Sequence, residues 1–251
     1  VVKKLRGLGV EADHIDAVLL TSAGSGLGWP ELWKATGGKD NGDALRRLRP
    51  KLFATAPVLL LAEAFAKEAA VAQGTFTEAG DVAGAGPNPD LVRNAFVDVH
   101  EVSFMQDVDI ECERGGPLTA IPLSAGAGLG SAHWQLEAHG YRIGAVGPAV
   151  VSTASSSGRP RLAGSWMDTR LLRGADLLVV PKWHARADAH TEQLRNVVEG
   201  VKAAVGDKGQ SALIPLGADV ALAYAIDLVE GIAEQLQPRT AAEPMVPIFA
   251  V

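Results

Sequence analysis

A group of three possible metal ligands, two of them histidines, lies in residues 183–190 (WHARADAH). His184, Asp188 and His190 fall within seven positions of one another, and imidazole and carboxylate groups are common ligands of zinc. Their spacing matches no familiar metal motif. Asp188 followed by Thr191 also suits the start of a helix, where such side chains cap free backbone N–H groups. Both interpretations stay open, and the helix cap is favoured.

Two other groups suggest catalysis or metal binding. Ser22, in the sequence TSAGSGLG, has the residue type of a nucleophile. However, it lacks the glycine two positions earlier that a nucleophile elbow uses. His133 and His139 flank a predicted strand and fall on the same face of it. For this pair, a half-exposed strand residue and a turn residue are favoured over a shared metal site.

Glycine and arginine runs suggest phosphate or RNA binding. Gly24, Gly26 and Gly28 follow a predicted strand but give G-x-G-x-G instead of the dinucleotide spacing G-x-G-x-x-G. These glycines are therefore expected to allow a sharp turn. A basic cluster is the candidate RNA contact, although a solvated helix end is favoured there. Its members are Arg46, Arg47, Arg49 and Lys51.

Composition excludes several classes of protein. The 251 residues are 47% hydrophobic, which is too apolar for a disordered chain. The net charge of −6 does not favour nucleic-acid binding by the chain as a whole. Cys112 is the only cysteine, so no disulfide framework is expected. No apolar run reaches the roughly 18–20 residues of a membrane span, so no membrane partner is expected. Because residue 1 is Val, we expect a fragment of a longer protein.

Alternating apolar runs and helical patterns predict a layered α/β or α+β domain. We expect two helices with Gly or Pro at their ends, over 57–72 and 191–205, and a third over 218–236. The run 176–180 (DLLVV) is continuously apolar, which is typical of a central strand. The other strands are predicted over 15–20, 51–54, 96–103, 107–113, 118–123, 133–138, 141–146, 211–216 and 246–251. Loops are expected over 80–90 and 152–164.

Three strand ends in this pattern are the places where a sheet would deliver active-site residues. We name them the first junction (residues 19–28), the second junction (122–131) and the third junction (143–148). The first reads LLTSAGSGLG, the second PLSAGAGLGS and the third IGAVGP. None of them contains His, Cys, Asp or Glu. The sequence therefore has the frame of an active site without the usual reactive groups.

This frame resembles the metallo-β-lactamase fold of the β-CASP nucleases. The order IDAVLLT, GLGWPEL, KLFATAPV, PLSAGAGLGSAHW, then DKGQSALIPLGADVALAYAIDLVEGI and VPIFAV is similar to the family's succession of strands and motifs. The resemblance covers about residues 10 to 251. It implies a truncated αββα sandwich over residues 1–236, incomplete at its N-terminus and with β-CASP-flanking segments. Residues 237–251 would then be a linker and the start of a further strand.

The resemblance also implies that the metal site of the family is lost. Gly, Ala, Leu and Pro side chains cannot ligate zinc, and one serine hydroxyl would not hold it. We therefore expect no catalytic residue, no metal and no cofactor. The positions that correspond to the family's ligands are Ser22, Gly24, Gly26, Leu27, Ala127 and Pro148, with a further acidic position falling near Pro181.

Degenerate members of this family pair with an active sister protein. The stretches PLSAGAGLGSAHW and VVSTAS are closer to the Integrator type than to the noncatalytic subunit of the cleavage and polyadenylation specificity factor. The resemblance thus implies a nuclear scaffold that binds the β-CASP endonuclease subunit of the Integrator complex and other Integrator subunits. Its role would be in small nuclear RNA processing. An active metal-dependent hydrolase of the same fold is the alternative.

Overall fold

A computed structural model describes residues 2–38, 50–77, 89–126, 128–148, 168–180, 189–207, 209–214 and 221–236. The chain forms two compact units, Val1–Pro181 and Lys182–Val251. Each unit contains its own buried apolar cluster. The predicted extent of one domain over 1–236 stays a prediction.

The first unit begins with a short helix, α1 (Val2–Gly7), and a parallel three-stranded sheet. Its strands are β1 (Ala17–Leu19), β2 (Lys51–Thr55) and β3 (Val99–Val102), with β2 in the middle. Parallel neighbours require crossover connections. Here the crossovers contain α2 (Trp29–Ala35), α3 (Ala56–Thr77) and α4 (Pro89–Ala95).

Alternation along β2 distributes its side chains between two cores. Leu52 and Ala54 belong to the cluster that includes the helices, together with Trp33 and Val92. Phe53 belongs to the cluster shared with a second sheet. All of β2 except Lys51 is buried, so helices cover one face of the three-stranded sheet and the second sheet covers the other.

The second sheet has five strands in sequence order. They are β4 (Val108–Cys112), β5 (Gly116–Ser124), β6 (Ala132–Ala138), β7 (Tyr141–Ala145) and β8 (Leu177–Val179). The first four form an antiparallel meander, and β8 pairs parallel with β7 at the edge. His139 (φ 52°) and Gly140 (φ 79°) make the tight turn between β6 and β7. Positive φ at both residues matches a type I′ hairpin turn.

The two sheets pack through a shared apolar core. Phe53 of β2 and Val102 of β3 contribute from the first sheet, and Ile110, Ala120 and Trp134 contribute from the second. The Trp134 Nε1–H also donates to the Leu20 carbonyl oxygen at 3.0 Å. A buried indole N–H without an acceptor would be costly, so this bond fixes one sheet against the other.

The second unit contains α5 (Ala189–Val201), a π-helical turn (Lys202–Asp207) and α6 (Ala221–Leu236). Val198 and Val201 of α5 pack against Leu228 and Ile232 of α6. The spacing of these residues, three and four apart, places each pair on one face of its helix. The apolar pattern of residues 191–205 predicts one buried helix face that includes Val197, Val198 and Val201. The structure confirms it at Val198 and Val201 and corrects it at Val197, which is exposed.

The structure confirms a mixed α/β protein with two sheets and corrects several elements. The helices α2 and α4 were not predicted. The run 176–180 is an exposed edge strand and not a central one. Residues 211–214 form no strand, and Leu213 is 92% exposed. The predicted loop over 152–164, the strand over 246–251 and most of the loop over 80–90 lie outside the described residues.

Candidate functional site

Hydrogen bonds bring the second junction against the first junction and against the end of β2. The Ala132 N–H, next to the second junction, donates to the Thr21 carbonyl oxygen at 2.9 Å. The Thr55 hydroxyl, at the end of β2, donates to the Gly130 carbonyl oxygen at 2.7 Å. Both bonds join the end of a strand in the parallel sheet to the start of β6. The strand ends of the two sheets are therefore gathered at one place.

The third junction joins the same place at Gly147. A Cβ on this residue would lie 2.6 Å from the Ala132 carbonyl oxygen and 2.8 Å from the Thr21 Cβ. Real side chains do not approach so closely, because atoms in protein interiors are already in van der Waals contact. Thr21, Ala132 and Gly147 thus form a three-way contact among the junctions, which we name the junction cluster.

Close packing accounts for other glycines in the junctions. A Cβ on Gly26 would lie 2.6 Å from the Ala62 Cβ of α3. Gly130 has a positive φ of 74° and lies against Thr55 and Pro57. These glycines let a helix or another backbone approach closely. They are occupied by contacts within the protein, which argues against the interpretation of Gly26 as part of a phosphate-binding turn.

His133 is the titratable residue buried beside the junction cluster. It lies on β6 between Ala132 and Trp134 and is 0% exposed. The Gly147 N–H donates to His133 Nδ1 at 2.9 Å. Because Nδ1 accepts this bond, the proton of the neutral ring is on Nε2. The Nε2 atom is buried, and none of the described residues offers it a hydrogen-bond partner.

Burial also sets the charge state of this histidine. Loss of hydration lowers the pKa of His133 from 6.5 to about 4, and the negative charge of Asp168 opposes this shift. The pKa of Asp168 is lowered in turn, first by the hydrogen bond from the Arg170 side chain. The Asp168 N–H donates to the Ser124 carbonyl oxygen at 2.8 Å, which places this acid at the second junction. His133 is therefore neutral at pH 7.

A ring in this state is poorly suited to bind a metal. A metal ligand must offer a free lone pair, and the lone pair of Nδ1 is already used by Gly147 while Nε2 carries the proton. Within the described parts of the chain, no three His, Cys, Asp or Glu side chains lie together as a metal-binding group. His139 does not join His133, because its Nε2 lies 2.7 Å from the Gly115 carbonyl oxygen at the β4–β5 turn. Five residues of β6, residues 134–138, separate the two histidines.

The structure places most of the positions that correspond to lost ligands in the first junction. Ser22 is buried, and Gly24, Gly26 and Leu27 lie in a 3-10 helix, Gly24–Gly28. Pro148 is exposed and follows Gly147 directly. The contact between Thr21 and Gly147 therefore lies one residue away from both Ser22 and Pro148. Ala127 and Pro181 lie outside the described residues.

The predicted RNA contact and the predicted metal group near His184 include residues that the structure does not describe. Lys51 is exposed at the start of β2, whereas Arg46, Arg47 and Arg49 lie outside the described residues, so the RNA contact stays a prediction. His184 and Asp188 also lie outside the described residues. The side chain of His190 is not described either, and the proposed metal group there stays a prediction.

Sequence reasoning missed the burial of His133 and the position of Asp168. His133 was expected to be a half-exposed strand residue, and it is fully buried. The signal was its place opposite Leu123 in the β5–β6 ladder, but that register depends on a pairing that the sequence alone does not fix. Asp168 follows a segment outside the described residues, and no local pattern connects it to β6.

Comparison with known proteins assigns no family to this chain. No protein-family model matches the sequence. A search among curated proteins likewise gave no significant match. In the part of the chain that the structure describes, no helix combines the length and apolar character that crossing a bilayer demands.

Proposed function

We propose that this chain is a degenerate member of the metallo-β-lactamase and β-CASP family that resembles Integrator complex subunit 9. In this proposal it is a noncatalytic scaffold in a nuclear complex that processes RNA 3′ ends, including those of small nuclear RNA. Its partners would be the β-CASP endonuclease subunit and other Integrator subunits. It would hold no catalytic metal and no cofactor.

The junction cluster is the observation that carries this proposal. Three strand ends meet at one place, as the resemblance implies for an active site, and their contacts use backbone atoms, threonine and glycine. Gly147 has no room for a side chain. Zinc catalysis needs several imidazole or carboxylate ligands and an open position for water. The described residues of the junctions contain no imidazole or carboxylate, and the two such groups beside them, His133 and Asp168, are engaged by Gly147 and Arg170.

The layer order also supports the proposal. Helices, a three-stranded sheet and a five-stranded sheet lie in succession, as in the first three layers of an αββα sandwich. The apolar packing of these layers is intact although the junctions hold no reactive groups. A protein that acts through its surface would keep its packed core even after its catalytic residues are lost.

The proposal can be tested by purification of the full-length protein from its own cells. We expect a β-CASP nuclease to copurify, and we expect RNA cleavage to require that partner. Metal analysis of the separated chain should find no zinc. About two zinc ions per chain, with hydrolysis that chelation abolishes, would instead support the active hydrolase. Copurification with polyadenylation factors would assign the chain to the cleavage and polyadenylation specificity factor.

Two variants at adjacent residues of α5 test whether loss of assembly follows from loss of core packing. Val198→Asp places a charge in the α5–α6 core and should abolish assembly through loss of packing. Val197→Asp alters an exposed residue of the same helix and should leave the fold intact. Leu27→Ala changes an exposed position of the former ligand set and should leave RNA cleavage by the complex unchanged. Lower cleavage in folded Leu27→Ala would contradict the scaffold role.

A further inference from the structure

His133 connects β6 to the third junction through an interaction that tolerates only one charge state. Its Nδ1 accepts the Gly147 N–H at 2.9 Å. When the imidazole is protonated, both ring nitrogens carry hydrogens and both become donors. The Gly147 N–H and the new Nδ1–H would then point at each other. Protonation therefore replaces an attractive contact by a repulsive one.

Burial increases the effect of this change. His133 is 0% exposed and Nε2 has no acceptor among the described residues, so protonation would place a charge in a site that is closed to solvent. An unsatisfied buried charge is among the costliest groups in a protein. Movement of the backbone around Gly147 away from the ring would remove the clash at Nδ1 and let water reach it.

We propose that His133 is a buried acid-sensitive latch, which holds the third junction against β6 when neutral and releases it when protonated. The released segment includes Gly147 and Pro148, and its departure would also open the contact with Thr21. The device would let acidification expose the junction cluster without unfolding the parallel sheet. This inference does not depend on the proposed scaffold function.

The charged groups around the latch are few among the described residues. Asp168 favours the protonated ring, but Arg170 holds its carboxylate through Nε at 2.9 Å from Oδ1. Glu137, further along β6, is paired with Arg142 of β7. Leu123 of β5 lies opposite His133 and carries no charge. Desolvation dominates over the attraction of Asp168, and the pKa of His133 is lowered to about 4.

Amide hydrogen exchange at Gly147 tests the latch in the whole chain. Protection would be measured from pH 7 to 4.5 and corrected for the intrinsic pH dependence of exchange. In the released form, the ring should regain an ordinary pKa near 6.5. We therefore expect Gly147 protection to fall about tenfold per pH unit below roughly pH 6.5. The amide of Leu52, in the central strand of the parallel sheet, should stay better protected than that of Gly147 at every pH, because it exchanges only when the sheet itself opens.

His133→Asn is the matched variant, because its side-chain oxygen can accept near the place of Nδ1 but does not titrate. Its Gly147 protection should not vary with pH, and His139→Asn, in the exposed turn, should behave like the unchanged protein. Nitrogen chemical shifts of the His133 ring give an independent reading that needs no variant. The Nε2–H tautomer is expected, with titration below pH 5. An Nδ1–H tautomer, titration near pH 6.5, constant Gly147 protection, or Gly147 and Leu52 amides with equal protection at every pH would overturn the latch.

Discussion

The strands β2 and β8 have similar apolar sequences and opposite environments. Leu52, Phe53 and Ala54 of β2 are buried between a helical layer and the second sheet. Leu177 and Val179 of β8 are 54% and 53% exposed. The first strand is central and the second is an edge. An apolar run therefore indicates that a strand is suited to burial. Whether the strand is buried depends on the layers that pack against it.

The largest contrast is expected from leucine truncation in these two strands. Leu52→Ala should destabilise the first unit by about 2–5 kcal/mol, because it leaves a cavity at a fully buried site. Leu178→Ala, at a residue that is 42% exposed, should cost less than about 1 kcal/mol. Chemical denaturation followed by tryptophan fluorescence would measure both. Equal losses would mean that β8 is covered in solution.

Acid should lower the free energy of unfolding of the first unit, because His133 is buried and neutral in the folded chain. Its pKa is about 4 in the folded chain and near 6.5 when unfolded. Above pH 6.5 both states are neutral, so pH has no effect through this group. Between pH 6.5 and 4 only the unfolded chain binds the proton, and stability should fall by up to about 3 kcal/mol. Denaturation of the unchanged protein and of His133→Asn across this range would isolate the contribution of His133.

A methyl group at the junction cluster should also be costly. Gly147→Ala would drive a Cβ against the Ala132 carbonyl oxygen, and about 1–3 kcal/mol of stability should be lost. Gly7→Ala, at the end of α1, meets no atom within 4 Å and should change stability by less than about 0.5 kcal/mol. Thermal unfolding of the two variants gives the comparison. A neutral Gly147→Ala would show that the junctions are not packed as described.

The smallest effect on stability is expected from a charge in β8. Leu178→Lys adds a cation to an exposed edge, so the free energy of unfolding should change by less than about 0.5 kcal/mol. Open apolar edges promote pairing between molecules, and lysine on an edge opposes it. The rate of aggregation, followed by light scattering, should therefore fall while stability stays the same. If Leu178→Lys aggregates at the same rate as the unchanged protein, the surface that drives aggregation lies outside β8.

How much the sequence could predict depended on the range of the interactions. The meander β4–β7 was predicted to within a few residues, because its pattern and its turns at Gly116 and Gly140 are local. The short α4 was missed because its seven residues follow a Gly- and Pro-rich stretch and show little periodicity. A strand was predicted over residues 211–216, but the described residues 211–214 form none, because a strand also needs a neighbour to pair with. The same limit explains why β8 was expected in the middle of a sheet.

The junction cluster was predicted in part. The position of the first and second junctions at strand ends followed from the strand pattern, and their meeting followed from the expected fold. The role of His133 could not be predicted, because it depends on the bond from Gly147, fourteen residues away. Whether a buried histidine is neutral or charged depends on its neighbours in space.

The bond from Trp134 to Leu20 has a consequence for the order of folding. It joins residues 114 positions apart, whereas the β6–β7 turn joins strands separated by two residues. Local hairpins form early, and contacts that close long loops carry an entropic cost before they contribute. We expect the meander to assemble first and the two sheets to dock afterwards. Trp134→Phe, which removes the indole donor, should then mainly accelerate unfolding and leave the folding rate nearly unchanged in stopped-flow measurements.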